Sequence, residues 1–201
     1  MMHRHLGAHE TMEIHEVLTW SINAINQFQL YRPYIKDGQL RSILDHQTAF
    51  MVQEYNNIVG LLANRGMEQG RGYMDPARQN FTPMYGLHNP SNESPNSSVR
   101  GLDDREIASS MLGAHKSSAT YRMHATLECA DPQLRRTMMQ AANSCAEQAY
   151  EVFQYMNARG YYQVPTLQNQ TMQALMDIYQ PHAMNGTYNP LSAMGTSPFR
   201  Q

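Results

Sequence analysis

The sequence DGQLR at residues 37–41 decides the fold, because it returns 94 positions later as DPQLR at residues 131–135. Both copies then continue without a gap to the same ending, which is ANRG at residues 63–66 and NARG at residues 157–160. A repeat that keeps its register over this length indicates one structural unit used twice. We therefore predict two helical hairpins of the same design on either side of a linker.

Apolar or small residues inside the repeat recur at alternating steps of four and three, the a/d spacing of a helical-bundle seam. In the first copy these positions are Leu44, Thr48, Met51, Tyr55, Ile58 and Leu62. In the second copy they are Met138, Ala142, Cys145, Ala149, Val152 and Met156. Each copy opens on an aspartate suited to an N-cap and closes on Arg-Gly, which is typical of a helix C-terminus. The pattern predicts one helix in each copy.

A second helix is predicted upstream of each copy. Residues 103–128 open with Asp103 and Glu106 at capping-box spacing. Their stripe is Ile107, Met111, Ala114, Ser118, Tyr121 and Ala125. The stripe of residues 10–32 is Ile14, Val17, Leu18, Ile22, Ile25 and Phe28. Pro33 is expected to end that helix, and the phase between the two upstream helices is ambiguous by one residue.

The fold class that follows is all-α, a four-helix ferritin-like bundle made of two repeated helical hairpins. The hairpins cover residues 10–66 and residues 102–165. Residues 67–101 form a linker rich in Gly, Pro, Asn and Tyr, and residues 166–201 form a short amphipathic helix and a tail. A linker of this length favours a crossover along the whole bundle, which would make the second and third helices parallel.

The composition argues against several classes of function. A formal net charge of −2 and a pI of about 6.5 do not favour binding to nucleic acid. We expect no membrane span and no signal peptide, because the chain has neither a long apolar run nor a charged-then-apolar start. Cys129 and Cys145 are expected about 20 Å apart along the helices, too far for a disulfide. Cys145 is expected in the core, and exposure of Cys129 for intermolecular linkage is the less favoured alternative.

A ferritin-like bundle raises the question of a di-metal centre, which needs Glu-x-x-His pairs on shared helix faces. The residues three positions after Glu54, Glu106, Glu147 and Glu151 are Asn57, Ser109, Tyr150 and Gln154, none of them histidine. The repeat does not duplicate ligands either, since His46 aligns with Gln140 and Glu54 aligns with Gln148. The sequence therefore predicts no di-iron site and no cofactor.

The remaining metal candidates are His5, His9 and Glu13, which have i, i+4, i+8 spacing and side chains that suit zinc, copper or nickel. We favour a polar helix start whose side chains face water. His115 is expected at the border of the core, and His124 is expected to form a surface pair with Glu128. The sequence has no nucleophile motif and no phosphate-binding loop in its usual strand-to-helix context, so we predict that the protein is not an enzyme.

Three stretches of the second hairpin carry a family likeness. They read LDDREIA at residues 102–108, DPQLR at residues 131–135 and MNARGYY at residues 156–162. Together they resemble the coat F (CotF-like) family of spore coat proteins from endospore-forming bacteria, over roughly residues 100–165. The resemblance implies a ferritin-like helical fold, a place in the spore coat and no established catalytic residues.

The leading hypothesis is a structural protein of the endospore coat, made in the mother-cell cytoplasm. Its partners would be other spore coat proteins, with homo-oligomerisation as a further expectation. One alternative is a ferritin-like metal-binding or redox protein that uses an atypical or His-rich N-terminal site. Another is an adaptor bundle that binds a partner helix in its groove.

Overall fold

The computed structural model describes residues 6–63, 71–76, 81–92, 94–98 and 101–179. Over these residues the chain is all-helical apart from loops and one isolated bridge between Tyr85 and Val164. The helices are α1 (Ala8–Tyr31), α2 (Gly38–Leu62), α3 (Asp104–Glu128), α4 (Pro132–Ala158) and α5 (Asn169–Asp177). Residues up to Pro165 form one compact unit that contains the bundle α1 to α4, and α5 belongs to a second unit.

The predicted N-caps are confirmed. The Asp37 carboxylate accepts hydrogen bonds from two backbone amides of the first turn of α2, and Asp131 does the same at α4. Asp103 caps α3 in the same way, while Glu106 accepts from the Asp103 backbone N–H at 2.7 Å, which completes the capping box. These bonds satisfy amides that have no partner within the helix.

The ends of the helices also follow the local sequence. Pro33 lies in a short 3₁₀ helix, Arg32–Tyr34, which ends the first helix as predicted. At the end of α4, Gly160 has φ +70°, and the backbone N–H of Tyr161 donates to the Met156 carbonyl at 2.8 Å. This is a Schellman motif, and glycine takes its left-handed position without strain. The corresponding glycine after α2, Gly66, lies outside the described residues.

Hydrogen bonds between helix ends fix the directions of the four helices. The backbone N–H groups of Lys36 and Asp37, at the start of α2, donate to Asp104 at the start of α3, at 2.8 and 3.0 Å. Arg159, just after α4, donates to the Asp37 carboxylate at 2.6 Å. Helices α2 and α3 are therefore parallel, and α4 is antiparallel to α2. The linker must cross the full length of the bundle, an arrangement compatible with the ferritin-like one.

The same contacts resolve the phase of α1 against α3. Glu10 of α1 accepts from the backbone N–H of Asp131, the N-cap of α4, at 2.5 Å. Asp104 of α3 accepts from the backbone N–H of Asp37, the N-cap of α2. Adding 94 to the number of Glu10 gives Asp104, and subtracting 94 from that of Asp131 gives Asp37. The two contacts are therefore equivalent in the repeat. The offset of 94 therefore applies to both helices of the hairpin.

The core confirms most of the predicted seam and corrects part of it. All six seam positions of α4 are buried, whereas Thr48, Tyr55 and Leu62 of α2 and Ala114 and Tyr121 of α3 are only half-buried. Ile22 was predicted on the core stripe of α1, but its side chain is 44% exposed. The buried neighbour is Ser21, which follows Ile14 and Val17 at helical spacing on the buried face of α1.

The linker lies along α4. The Tyr73 backbone N–H donates to Ser144 Oγ at 3.1 Å, near the middle of α4. Further along, Phe81 packs edge-on against Tyr150 and Phe153. Near the end of α4, the Asn157 side chain pairs with the Met84 backbone through bonds of 2.7 and 3.0 Å.

None of the helices described is long and apolar enough to cross a membrane.

Candidate functional site

A buried polar layer crosses the bundle at Arg122 of α3, which is only 6% exposed. Its guanidinium lies 3.1 Å from Glu54 of α2, donates to Ser21 Oγ of α1 at 2.9 Å, and donates to Cys145 Sγ of α4 at 3.0 Å. We call these four residues the Arg122 layer. One side chain therefore contacts each of the other three helices.

The Arg122 layer separates two apolar clusters along the bundle axis. One cluster includes Phe28, Leu44, Met111 and Tyr155, and the other includes Ile14, Ile58, Ala125 and Met138. Burial raises the pKa of the Glu54 carboxyl, and the Arg122 charge opposes that rise. A buried ion pair of this kind needs good geometry to offset the cost of leaving water.

The two cysteines are both free and buried, so exposure of Cys129 for linkage between molecules does not occur in this structure. Cys129 packs in the second apolar cluster and is 6% exposed. Burial raises the pKa of Cys129 to about 11 and that of Cys145 to about 12. Both side chains are therefore thiols at neutral pH and weak nucleophiles.

A second polar layer is centred on Glu151 of α4. Its carboxylate accepts from Gln47 Nε2 of α2 at 2.7 Å and from the Tyr73 hydroxyl of the linker. His46 Nε2, also on α2, lies 2.9 Å from Glu151 Oε1. Gln47 extends the network to α3, because its Oε1 lies 2.8 Å from His115 Nε2. We call these five residues the Glu151 layer.

The ionisation of the Glu151 layer follows from burial and hydrogen bonding together. Burial by itself would raise the pKa of Glu151, but bonds from His46, Tyr73 and Gln47 outweigh it and lower the pKa. Burial would lower the pKa of His46, but the Glu151 carboxylate raises it on balance. The pKa of Tyr73 is raised by burial and then by Glu151. The layer therefore holds an anionic carboxylate among three donors.

His115 has the opposite character. Its imidazole is 2% exposed, and burial, assisted by the nearby Arg122 charge, lowers its pKa to about 3. It contacts Phe28 edge-on, with ring centroids 5.3 Å apart. His115 is thus a neutral, hydrogen-bonded residue inside the core, deeper than the border position predicted for it.

Of the candidate metal residues at the N-terminus, His9 and Glu13 each contact a side chain of α3. His5 lies outside the described residues. His9 Nδ1 lies 3.6 Å from Glu128 of α3, and Glu13 lies 3.6 Å from His124 of the same helix. The predicted pair of His124 with Glu128 is therefore wrong, because α1 packs antiparallel to α3 and each side chain finds its partner across the interface.

The sequence analysis missed both polar layers, although one signal for them was present. With an offset of 94, Arg122 aligns with Phe28 and His115 aligns with Ser21. An arginine that aligns with a core phenylalanine indicates a buried charge. The ambiguous phase between α1 and α3 concealed this alignment, and nothing in the sequence placed Tyr73 beside Glu151.

In chemical terms, the polar side chains of each layer contact one another, although Glu54 Oε2 and Arg122 Nε have no hydrogen-bond partner among the described residues. A glutamate and a histidine do meet in the Glu151 layer, but Gln47 and Tyr73 occupy the other positions around the carboxylate. In the other layer the guanidinium of Arg122 supplies the positive charge. Across the described ranges, three or more His, Cys, Asp or Glu side chains nowhere converge at metal-binding spacing. The geometry is that of groups which stabilise the fold.

The fold and its two polar layers define a helical-bundle protein, and comparisons with known proteins identify its family. The family model of the Coat F domain matches residues 103–165. Spore coat protein F-like protein YhcQ of Bacillus subtilis (strain 168) is 34% identical over 178 residues, which cover 87% of this chain and 81% of that protein. The chain therefore belongs to the spore coat protein F-like family.

A solved structure shows the same fold. It is the crystal structure of a candidate spore coat protein from Bacillus halodurans C-125, with a TM-score of 0.60 and 13% sequence identity. The match covers 83% of this chain and 97% of that chain. At this identity the likeness concerns the fold alone.

Proposed function

We propose that this protein is a structural component of the bacterial endospore coat, which it enters from the mother-cell cytoplasm and where it assembles through contacts with other coat proteins. The observation that carries the proposal is the relation to the Bacillus subtilis spore coat protein F-like protein, which extends over 87% of this chain. That likeness extends well beyond the 103–165 match of the Coat F domain.

The arrangement of the interior supports a role in assembly. The polar groups at the centre of the bundle contact one another across α1, α2, α3, α4 and the linker, so their chemistry is directed to the scaffold. Large apolar side chains remain on the outside of the helices, including Trp20, Leu30, Leu127 and Tyr150. Aromatic side chains of this kind are enriched where proteins contact one another.

A localisation experiment tests the proposal. The chain is fused to a fluorescent protein and expressed in sporulating Bacillus subtilis, with the fluorescent protein alone as the control. We expect a ring of fluorescence around the forespore and recovery of the fusion in the coat extract of purified spores. Even fluorescence through the mother-cell cytoplasm, matching the control, would contradict the proposal.

A further inference from the structure

An open groove of about 600 Å³ runs between α3 and α4 on the outside of the bundle. Its floor is made of small residues, among them Ala119 of α3 and Ala146 of α4. Tyr150, Phe153 and Tyr162 form an aromatic wall, with Tyr150 46% exposed. We call this surface the α3–α4 groove. Its volume is about four times that of a 150 Å³ cavity that binds benzene, so it has room for several apolar side chains.

The groove is held in shape by contacts within the bundle. Phe153 stacks edge-on with Tyr162 at 5.3 Å and is packed from the other side by Phe81 of the linker. Lys116 of α3 lies over the Tyr162 ring, 5.0 Å from its centroid, and is the charged residue of the lining. The groove is therefore apolar and aromatic, with one positive charge at its edge.

Helix α5 has the pattern of a ligand for such a groove. Met172, Leu175 and Met176 have the i, i+3, i+4 spacing of a helix that binds in a groove, and all three are at least 44% exposed. Tyr179, just beyond the end of the helix, is 77% exposed. The opposite face of α5 is polar. Its charged residue is Asp177, near the C-terminal end of the helix, where the helix dipole is negative as well.

We propose that α5 of one copy of this protein docks in the α3–α4 groove of a second copy, and that the exchange is reciprocal. Three apolar anchors at helical spacing, with Tyr179 just beyond the helix end, match a groove with room for several side chains. The negative end of α5 matches the Lys116 charge. Because both surfaces belong to one chain, two copies bury both pairs of surfaces in a closed two-fold dimer. The inference rests on the proposed function only for its biological meaning, as the first step of assembly.

The experiment measures the mass of the full-length chain by sedimentation over a range of concentrations. The unaltered protein is expected to dimerise. The variant Leu175→Glu removes an anchor of α5, and Ala146→Glu places a charge on the floor of the groove at an exposed position. Each variant is expected to weaken dimerisation at least about tenfold. Gln170→Glu adds the same charge on the polar face of α5 and is expected to leave dimerisation unchanged.

A mixing experiment identifies which surfaces meet. When Leu175→Glu chains are mixed with Ala146→Glu chains, the intact α5 of the second can dock in the intact groove of the first, so a mixed dimer is expected although each variant alone is monomeric. A monomeric unaltered protein would overturn the inference, as would dimers that neither variant weakens or a mixture that stays monomeric. A monomer that still surrounds the forespore would refute this contact and leave the proposed function standing. A dimer that stays in the cytoplasm would support this contact and refute the proposed function.

Discussion

At the scale of single residues, Arg122 joins the four helices more directly than any apolar contact, because its guanidinium contacts Ser21, Glu54 and Cys145 on three different helices. Removing one partner of a buried ion pair leaves a charge without compensation. Replacing both partners by apolar groups avoids that cost. We therefore expect that losing one partner of the pair destabilises the fold far more than replacing both.

This argument predicts the behaviour of Arg122→Met. The variant leaves the Glu54 carboxyl buried without its cation, and we expect the free energy of unfolding to fall by about 3–5 kcal/mol, measured by urea denaturation. The double variant Arg122→Met with Glu54→Met is expected to recover most of the loss. Arg136→Met, at an exposed position of α4, serves as the control and should change stability by less than about 0.5 kcal/mol. A single variant as stable as the double one would contradict the account.

The raised pKa of His46 predicts that the stability of the protein depends on pH. It faces Glu151 of α4 and Tyr73 and Asp75 of the linker, and its pKa in the folded protein is raised above the usual 6.5. Because the folded state holds the proton more tightly, the stabilisation is complete below the unfolded pKa and is lost as pH rises through the folded pKa. The stability advantage over His46→Gln should therefore shrink as the pH rises from about 5.5 through the folded-state pKa of His46, measured by urea denaturation. A difference between the two proteins that stays constant over this range would contradict the assignment.

Individual residues also show how far the sequence was informative. Caps such as Asp37 and Asp103 were predictable because they bond to amides two or three residues away. Arg122 and Glu151 were not, because their partners lie on other helices. The stripe predicted for α1 took the apolar Ile22, where the structure buries its polar neighbour Ser21.

At the scale of elements, the linker is held to the bundle at defined points, and Tyr73 is one of them. Tyr73→Phe removes a hydroxyl that donates to the buried Glu151 carboxylate. We expect a loss of about 1.5–3 kcal/mol in the free energy of unfolding, as for hydrogen bonds to charged groups. Trypsin should also cleave faster after Arg71, two residues away. Tyr85→Phe, at a position that is 62% exposed, is the control. Unchanged cleavage at Arg71 would show that the linker does not depend on this bond.

The glycines of α3 and of the α4 terminus give a matched pair of variants. Gly160→Ala forces alanine into a left-handed conformation and should lower the free energy of unfolding by about 1 kcal/mol or more. Gly113→Ala lies inside α3, where an added Cβ meets nothing within 4 Å, and should raise it by about 0.5–1 kcal/mol. Thermal unfolding followed by circular dichroism would measure both. Effects of the same sign would contradict the helix assignments.

The helices themselves were the most predictable elements. Their starts and most of their buried positions follow from caps and from the spacing of apolar residues within each helix. The parallel direction of α2 and α3 rested on the length of the linker, and the structure confirms it. The path of the linker along α4 could not be predicted, because its contacts join positions about 70 residues apart, as in Tyr73 with Ser144.

At the scale of the whole molecule, the two polar layers connect all four helices, so neither hairpin has an interior of its own. We therefore expect α1 to α4 to unfold in one cooperative transition. The fluorescence of Trp20, the single tryptophan, reports on α1, and circular dichroism reports on all helices. Their urea midpoints should coincide. A fluorescence transition that precedes the loss of helix would show that the first hairpin unfolds separately.

The buried guanidinium has a consequence for how the protein persists in its surroundings. A bundle that depends on a bound cation loses strength when a chelator or a poor supply of that cation removes it. Here the central positive charge is covalently part of the polypeptide and arrives with translation. The positive charge of the Arg122 layer is thus in place as soon as the bundle folds.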